Sequence, residues 1–233
     1  MSQPKFSVSL MCMDLAVAGS QVAALSKHAD AFHLDIMDGH FAPNLALSPD
    51  WVKSVAPFSS VTMEAHLMTD EPGRWVEPLA KAGAHIISPH AETLNRDAFR
   101  VFGMISDLGK RIGLVLNPAT PLSTVEPMLG RIDVLTIMTV DVGFAGQAFI
   151  PEMLDKIAEA KRFREREGLS FSIQIDGSCN VATFKRLREA GADILVLGTS
   201  GLFSLADDID EAWRLMAEGY ERETGEPVRS RHE

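Results

Sequence analysis

The chain is poor in cysteine: its 233 residues include two, Cys12 and Cys179. Two thiols so far apart make no disulfide framework, which points to a reducing compartment and a cytoplasmic protein. Long apolar runs are also missing, and no stretch reaches the about 18 residues that a membrane span needs. After Lys5, FSVSLMCM loosely imitates a secretion leader. Asp14 interrupts that short run, so it is read as part of the fold. Positive charge is scarce: 22 Lys and Arg stand against 32 Asp and Glu, a net charge of −10. That balance excludes the basic footprint of a nucleic-acid or anionic-membrane binder. A small anion remains an acceptable ligand where a local site offers donors.

The pattern that is present is alternation. Short apolar or β-branched runs recur at 6–10, 31–36, 61–67, 85–88, 111–116, 134–140, 171–176 and 193–198. Each reads as a buried parallel strand. Helical patterns lie between them. Ser48-Pro49 and Thr120-Pro121 are start signals, and Asn95 and Asn180 are candidate caps. Gly109, Gly168 and Gly191 are stops. Ile209, Trp213 and Met216 share one face of a last helix. Ala29-Asp30, Ala84-His85 and Ala192-Asp193 each lead into a strand, at spacings near two and four units of about 27 residues. Eight strands and eight helices at that period predict a single-domain α/β fold, the (β/α)8 TIM barrel, over 1–222. A polar tail, expected to fray, follows over 223–233. A doubly wound sheet would carry a glycine fingerprint after its first strand, and SLMCMDLA has none.

In such a barrel, function sits at the C-terminal strand ends. Ser9 ends the first strand. His33 and Asp35 lie two apart on the second, Glu64 and His66 two apart on the third, and each pair therefore shares a face. His90 follows the fourth strand and Asp176 ends the seventh. A lone strand histidine is usually a hydrogen-bonded core group, and a lone strand-end aspartate usually caps a helix. Two histidines with two or more carboxylates at one mouth are costly to bury unless paired or bound to metal. The set suits Zn²⁺, Fe²⁺, Mn²⁺ or Co²⁺. Glu64 is the weaker candidate and reads equally as a supporting acid.

Glycine-rich segments end the last three strands: GFAGQ (143–147), Gly177-Ser178 and GTSGLF (198–203). They read either as tight turns or as a phosphate cradle of backbone N–H groups, aided by Thr199 and Ser200. Met37, Met68 and Met138 read as flexible core filling. Cys12 and Cys179 have no basic neighbour in sequence and read as inert.

The segments SLMCMD (9–14), FHLDIMDGHFAPN (32–44), EAHLM (64–68), MTVDVGFAGQAFIPEMLDKI (138–157), IDGSC (175–179) and LGTSGLF (197–203) resemble the ribulose-phosphate 3-epimerase family. Val8 and Val142 stand where that family more often has proline. The resemblance implies His33, Asp35, His66 and Asp176 as ligands of one divalent cation. It implies Asp35 and Asp176 as the acid/base pair, and Ser9 and His66 as substrate contacts. It implies Gly143, Phe144, Ala145, Gly146, Gly177, Ser178, Gly198, Thr199 and Ser200 as the phosphate side. It also moves the methionines toward a role at the intermediate. MCMD, DGSC and GTSGLF are most similar to the branch acting on D-allulose 6-phosphate, which implies exchange with D-fructose 6-phosphate. D-ribulose 5-phosphate is the alternative substrate, and a homo-oligomer is implied. A lysine-dependent decarboxylase or aldolase would need an inward lysine that no expected strand contains. A non-catalytic sugar-phosphate sensor has no need of the full His/Asp set.

Overall fold

The structure is a computed structural model that describes residues 3–228. Eight parallel strands close into a barrel in chain order: β1 (Lys5–Ser9), β2 (Ala31–Met37), β3 (Thr62–Met68), β4 (Ile86–Pro89), β5 (Arg111–Leu116), β6 (Val134–Met138), β7 (Ser172–Asp176) and β8 (Ile194–Leu197). Pairing of β1 with β8, Phe6 opposite Leu195, completes the ring. The expected (β/α)8 barrel is therefore observed, and the expected strands shift by no more than two residues at their ends.

Among the described residues seven α-helices surround the ring: α1 (Ala18–Leu25), α2 (Pro49–Val55), α3 (Gly73–Ala82), α4 (Ala98–Asp107), α5 (Met153–Arg166), α6 (Phe184–Ala190) and α7 (Ile209–Thr224). The Ser48 hydroxyl accepts the Trp51 N–H at 3.2 Å, with Pro49 at the first helical position, so that start signal acts as expected. The signal at Thr120-Pro121 does not start an α-helix. The segment after β5 forms only 3₁₀ turns, Leu122–Thr124 and Glu126–Arg131. Pro121, Pro127 and Gly130 crowd this stretch, which disfavours a continuous helix. Asn95 does not cap α4 either; its amide donates to the Glu92 carbonyl, and Asp97 precedes the helix. Of the polar segment 223–233, residues 229–233 lie outside the described residues. In the described part of that segment α7 runs to Thr224, and Glu226 meets Arg188 and the Tyr220 hydroxyl.

Strand alternation sorts the side chains into two shells. One set, including Phe32, Leu34, Ile36, Ala65, Leu67, Leu114, Leu135, Ile173 and Leu195, joins the helices in the main apolar core. The alternate set turns inward and is largely polar: His33, Asp35, Glu64, His66, Ser88, Thr136 and Gln174 are all buried. Apolar burial between ring and helices thus supplies the main stabilisation, and the barrel axis is left for a hydrogen-bonded network. No helix among the described residues is long and apolar enough to cross a membrane.

Candidate metal centre and active site

The inward network begins deep in the barrel. Glu64 Oε1 accepts the Ser88 hydroxyl at 2.5 Å, and Oε2 accepts the Gln174 amide at 2.6 Å. The same Gln174 amide reaches Thr136 Oγ1 at 3.0 Å. Ser88 fits only because residue 113 on the neighbouring strand is glycine, where a Cβ would stand 1.8 Å from Ser88 Oγ. Glu64 Oε2 also lies 3.2 Å from His33 Nδ1 and orients that ring.

Above this network four donors converge. His33 Nε2 lies 3.0 Å from His66 Nδ1 and 3.6 Å from Asp35 Oδ1. His66 Nδ1 lies 3.2 Å from Asp35 Oδ1. Asp176 Oδ2 stands 3.5 Å from His33 Nε2 and 3.6 Å from His66 Nδ1. All four donor atoms fall within 4.8 Å of one another. A tetrahedral cation with ligand bonds near 2.0–2.1 Å has edges of about 3.3 Å, so the residues fit such an ion. The free faces are braced as metal ligands usually are. Ser9 donates to Asp35 Oδ2 at 2.7 Å. His66 Nε2 lies 2.8 Å from His90 Nε2, and His90 Nδ1 lies 3.1 Å from Glu92 Oε2.

Electrostatics agree with the donor set. Burial works against a charge on His33, but Asp35, Asp176 and Glu64 outweigh it and hold its pKa well above the imidazole range. Burial would raise Asp35 and Glu64; the facing imidazoles prevail and hold both below the usual carboxylate range. Carboxyl groups gathered around two imidazoles suit a cation at the centre. His90 behaves oppositely, since burial pushes it down to about 4. Glu92 resists its own burial through bonds from His90 and Thr120 and falls to about 2.

Over the centre opens a pocket. Asp35 and Asp176 form part of its floor, with Ser9 beside them; His33 and His66 lie buried behind. Met37, Met68 and Met138 line it, as do Cys12 and Cys179. Burial and the nearby Asp176 push the Cys179 thiol up; burial and Asp35 do so for Cys12. Both thiols are therefore held protonated. Gly143, Phe144, Ala145, Gly146, Gly177, Ser178, Gly198, Thr199 and Ser200 line the pocket as well. Among the described residues no Lys or Arg lines it.

Ser178 is the one non-glycine residue with positive φ among the described residues, at 50°. Its hydroxyl donates to the Gln147 carbonyl at 2.5 Å and ties two wall loops together. At Gly201 a Cβ would stand 2.1 Å from the Cys179 carbonyl oxygen, so close packing requires glycine there. Sequence reasoning brought the four central donors and the wall loops to one place. It left out Ser88, Gly113, Glu92, Thr136 and Gln174. The signal was available for two of these, because Thr136 and Gln174 precede Met138 and Asp176 by two residues and therefore share their inward face.

The profile of the ribulose-phosphate 3 epimerase family matches residues 5–203. A ribulose-phosphate 3-epimerase of Bacillus subtilis is 39% identical over 198 residues, covering 84% of this chain and 91% of that protein. One from Mycobacterium leprae is 37% identical over 207 residues, covering 88% and 90%. Among solved structures, KGPDC from Streptococcus mutans superposes with a TM-score of 0.68 at 15% identity, covering 95% of this chain and 99% of that one. The 3-hexulose-6-phosphate synthase of Salmonella typhimurium gives 0.66 at 16%, covering 94% and 99%. Likeness at that identity concerns the fold alone.

Proposed function

This chain belongs to the ribulose-phosphate 3-epimerase family, and from that premise we propose that it epimerises D-ribulose 5-phosphate at C3 to D-xylulose 5-phosphate. The observation that carries the reading is the pair Asp35 and Asp176, two carboxylates brought from separate strands to one centre at a pocket floor. Inversion next to a carbonyl needs one group to remove the C3 proton and another to return one to the opposite face. A single base would tend to give the proton back where it left.

Asp35 is held by the Ser9 hydroxyl through one oxygen, which aims the other at the centre. Asp176, at the end of β7, faces the same centre. One acts as carboxylate while the other acts as carboxylic acid, and the roles exchange in the reverse direction. Such acid–base catalysis contributes about 10²–10⁴-fold. His33, Asp35, His66 and Asp176 would hold one divalent cation, Co²⁺, Mn²⁺, Zn²⁺ or Fe²⁺. When bound, that ion supplies Lewis-acid stabilisation of charge developing on the substrate's C2 and C3 oxygens. Met37, Met68 and Met138 keep water from the reacting carbons. The phosphate belongs on the loops that contribute residues 143–146, Gly177-Ser178 and residues 198–200 to the lining, where backbone N–H groups with Thr199 and Ser200 would stand in for cationic side chains.

The sequence motifs placed D-allulose 6-phosphate first, on MCMD, DGSC and GTSGLF. The relatives reported above are ribulose-phosphate 3-epimerases, which favours the five-carbon sugar; the six-carbon reading is kept on those motifs alone. A direct assay separates them. Metal-free protein is supplied with each of the four ions and offered both sugars. A higher kcat/KM for D-ribulose 5-phosphate is the expected result. A clear preference for the six-carbon sugar would restore the motif-based order, and turnover of neither would remove the epimerase reading.

A further inference from the structure

Two imidazoles face the centre, and they are braced differently. Glu64 holds His33 Nδ1 directly. Behind His66 stands a second imidazole, His90, and only then a carboxylate, Glu92. A neutral imidazole has one N–H and one lone pair. If His66 turns its Nδ1 lone pair toward the centre, its proton sits on Nε2. His90 Nε2, 2.8 Å away, must then accept that proton's hydrogen bond. The His90 proton is thereby placed on Nδ1, where Glu92 Oε2 accepts it at 3.1 Å.

Glu92 is itself fixed. Its Oε1 accepts the Asn117 N–H at 3.0 Å and the Thr120 hydroxyl. Lys156 on α5 clamps that same loop by donating to the carbonyls of Asn117, Pro118 and Thr120 at 3.1, 2.6 and 2.8 Å. The Phe41 ring, 4.6 Å from the His90 ring between centroids, covers the link. With Glu92 Oε2 as the acceptor at its far end and His90 neutral, the series has one consistent direction, from His66 through His90 to that carboxylate.

We propose that His90, held by Glu92, is a positioning residue that fixes the tautomer of His66 and so keeps Nδ1 free to bind a cation. The proposal rests on the metal-site reading above. A histidine that only filled space would leave the His66 tautomer unselected.

The test uses the full chain. Metal-free protein labelled with ¹⁵N-histidine is read by NMR at mildly alkaline pH, and Co²⁺ is titrated in against a competing chelator. In the wild type, His66 is expected to carry its proton on Nε2. His90→Leu should give a mixture of tautomers, weaken Co²⁺ affinity by about 10–100-fold and change the visible absorption of bound Co²⁺. His90→Gln, whose amide carbonyl can accept near the place of Nε2, should recover most of the affinity. If His90→Leu does not fold, Glu92→Gln replaces it, with an expected loss of about tenfold. Affinity within twofold of wild type in the informative variant, with unchanged absorption, would overturn the proposal. A wild-type His66 protonated on Nδ1, or a wild type that takes up no Co²⁺, would overturn it as well. No sugar enters these measurements. A protein that binds Co²⁺ and shows the Nε2 tautomer, yet epimerises nothing, would sink the substrate reading and support the role of His90.

Discussion

Replacing Gly113 by alanine puts a methyl group inside the barrel wall. Its carbon would lie 1.8 Å from Ser88 Oγ and 2.7 Å from Ser88 Cβ, so Ser88 must move. Ser88 is fully buried and its hydroxyl donates to Glu64, so the movement breaks a bond to a buried carboxylate. Overpacking of this kind costs about 1–3 kcal/mol, and a hydrogen bond to a charged group is worth about 1.5–3 kcal/mol. Alanine in a strand returns about 0.5–1 kcal/mol of backbone entropy. The net loss is about 2–5 kcal/mol, or a fall in Tm of about 5–15 °C for a domain of this size. Thermal and urea unfolding followed by circular dichroism measure it. The control is Ser88→Gly, which removes both offending atoms and leaves the Ser88 Cα, at 3.2 Å, as the nearest contact. In that background Gly113→Ala should cost less, by a coupling of at least about 1.5 kcal/mol, the remaining cost coming from the tight 3.2 Å approach to the Ser88 Cα. An equal cost in both backgrounds, or a cost below about 0.5 kcal/mol in the wild type, would refute the reasoning.

Other consequences are open to measurement. Asp35→Asn and Asp176→Asn should each lower kcat by about 10²–10⁴-fold while circular dichroism shows an intact barrel; near-wild-type turnover in either removes it from the acid/base pair. Glu92 has a folded pKa depressed from 4.5 to about 2. Its contribution to stability is therefore present above about pH 4.5 and lost as pH falls toward 2. Glu92→Gln should flatten the acid-unfolding curve in that window, and an unchanged curve would count against the linkage. Ser178→Gly should be more stable than Ser178→Ala by about 1–2 kcal/mol, because both lose the bond to Gln147 and only glycine relieves the φ of 50°.

The barrel was legible because its evidence is local and repeated. Runs such as RIGLVL and AFHLDI announce buried strands on their own, and each leads into a helix or turn with its own punctuation. The His33, Asp35, His66 and Asp176 set was legible because two-residue spacing fixes a face and the strand end fixes a height. The missing helix after β5 was harder to see: Thr120-Pro121 is a sound start signal, and only the later Pro127 and Gly130 undo it. Ser88 and Gly113 were out of reach for a different reason. Their relation is a contact between neighbouring strands 25 residues apart in sequence, and neither residue type carries a signal alone. The His90–Glu92 link resembles them, since its direction follows from hydrogen-bond partners that only the folded chain brings together.

The pocket wall that lacks Lys and Arg has a kinetic consequence. Apart from Asp35 and Asp176, which the proposed cation would neutralise, it carries Asp141, on a chain of net charge −10. A sugar phosphate approaching this mouth climbs a repulsive potential before any backbone N–H can reach it. Most charged-substrate enzymes are slowed by salt because screening removes attraction; here screening removes an obstacle. On the proposed function the barrel would capture its anion by short-range fit rather than by long-range pull, and encounter should quicken as ionic strength rises.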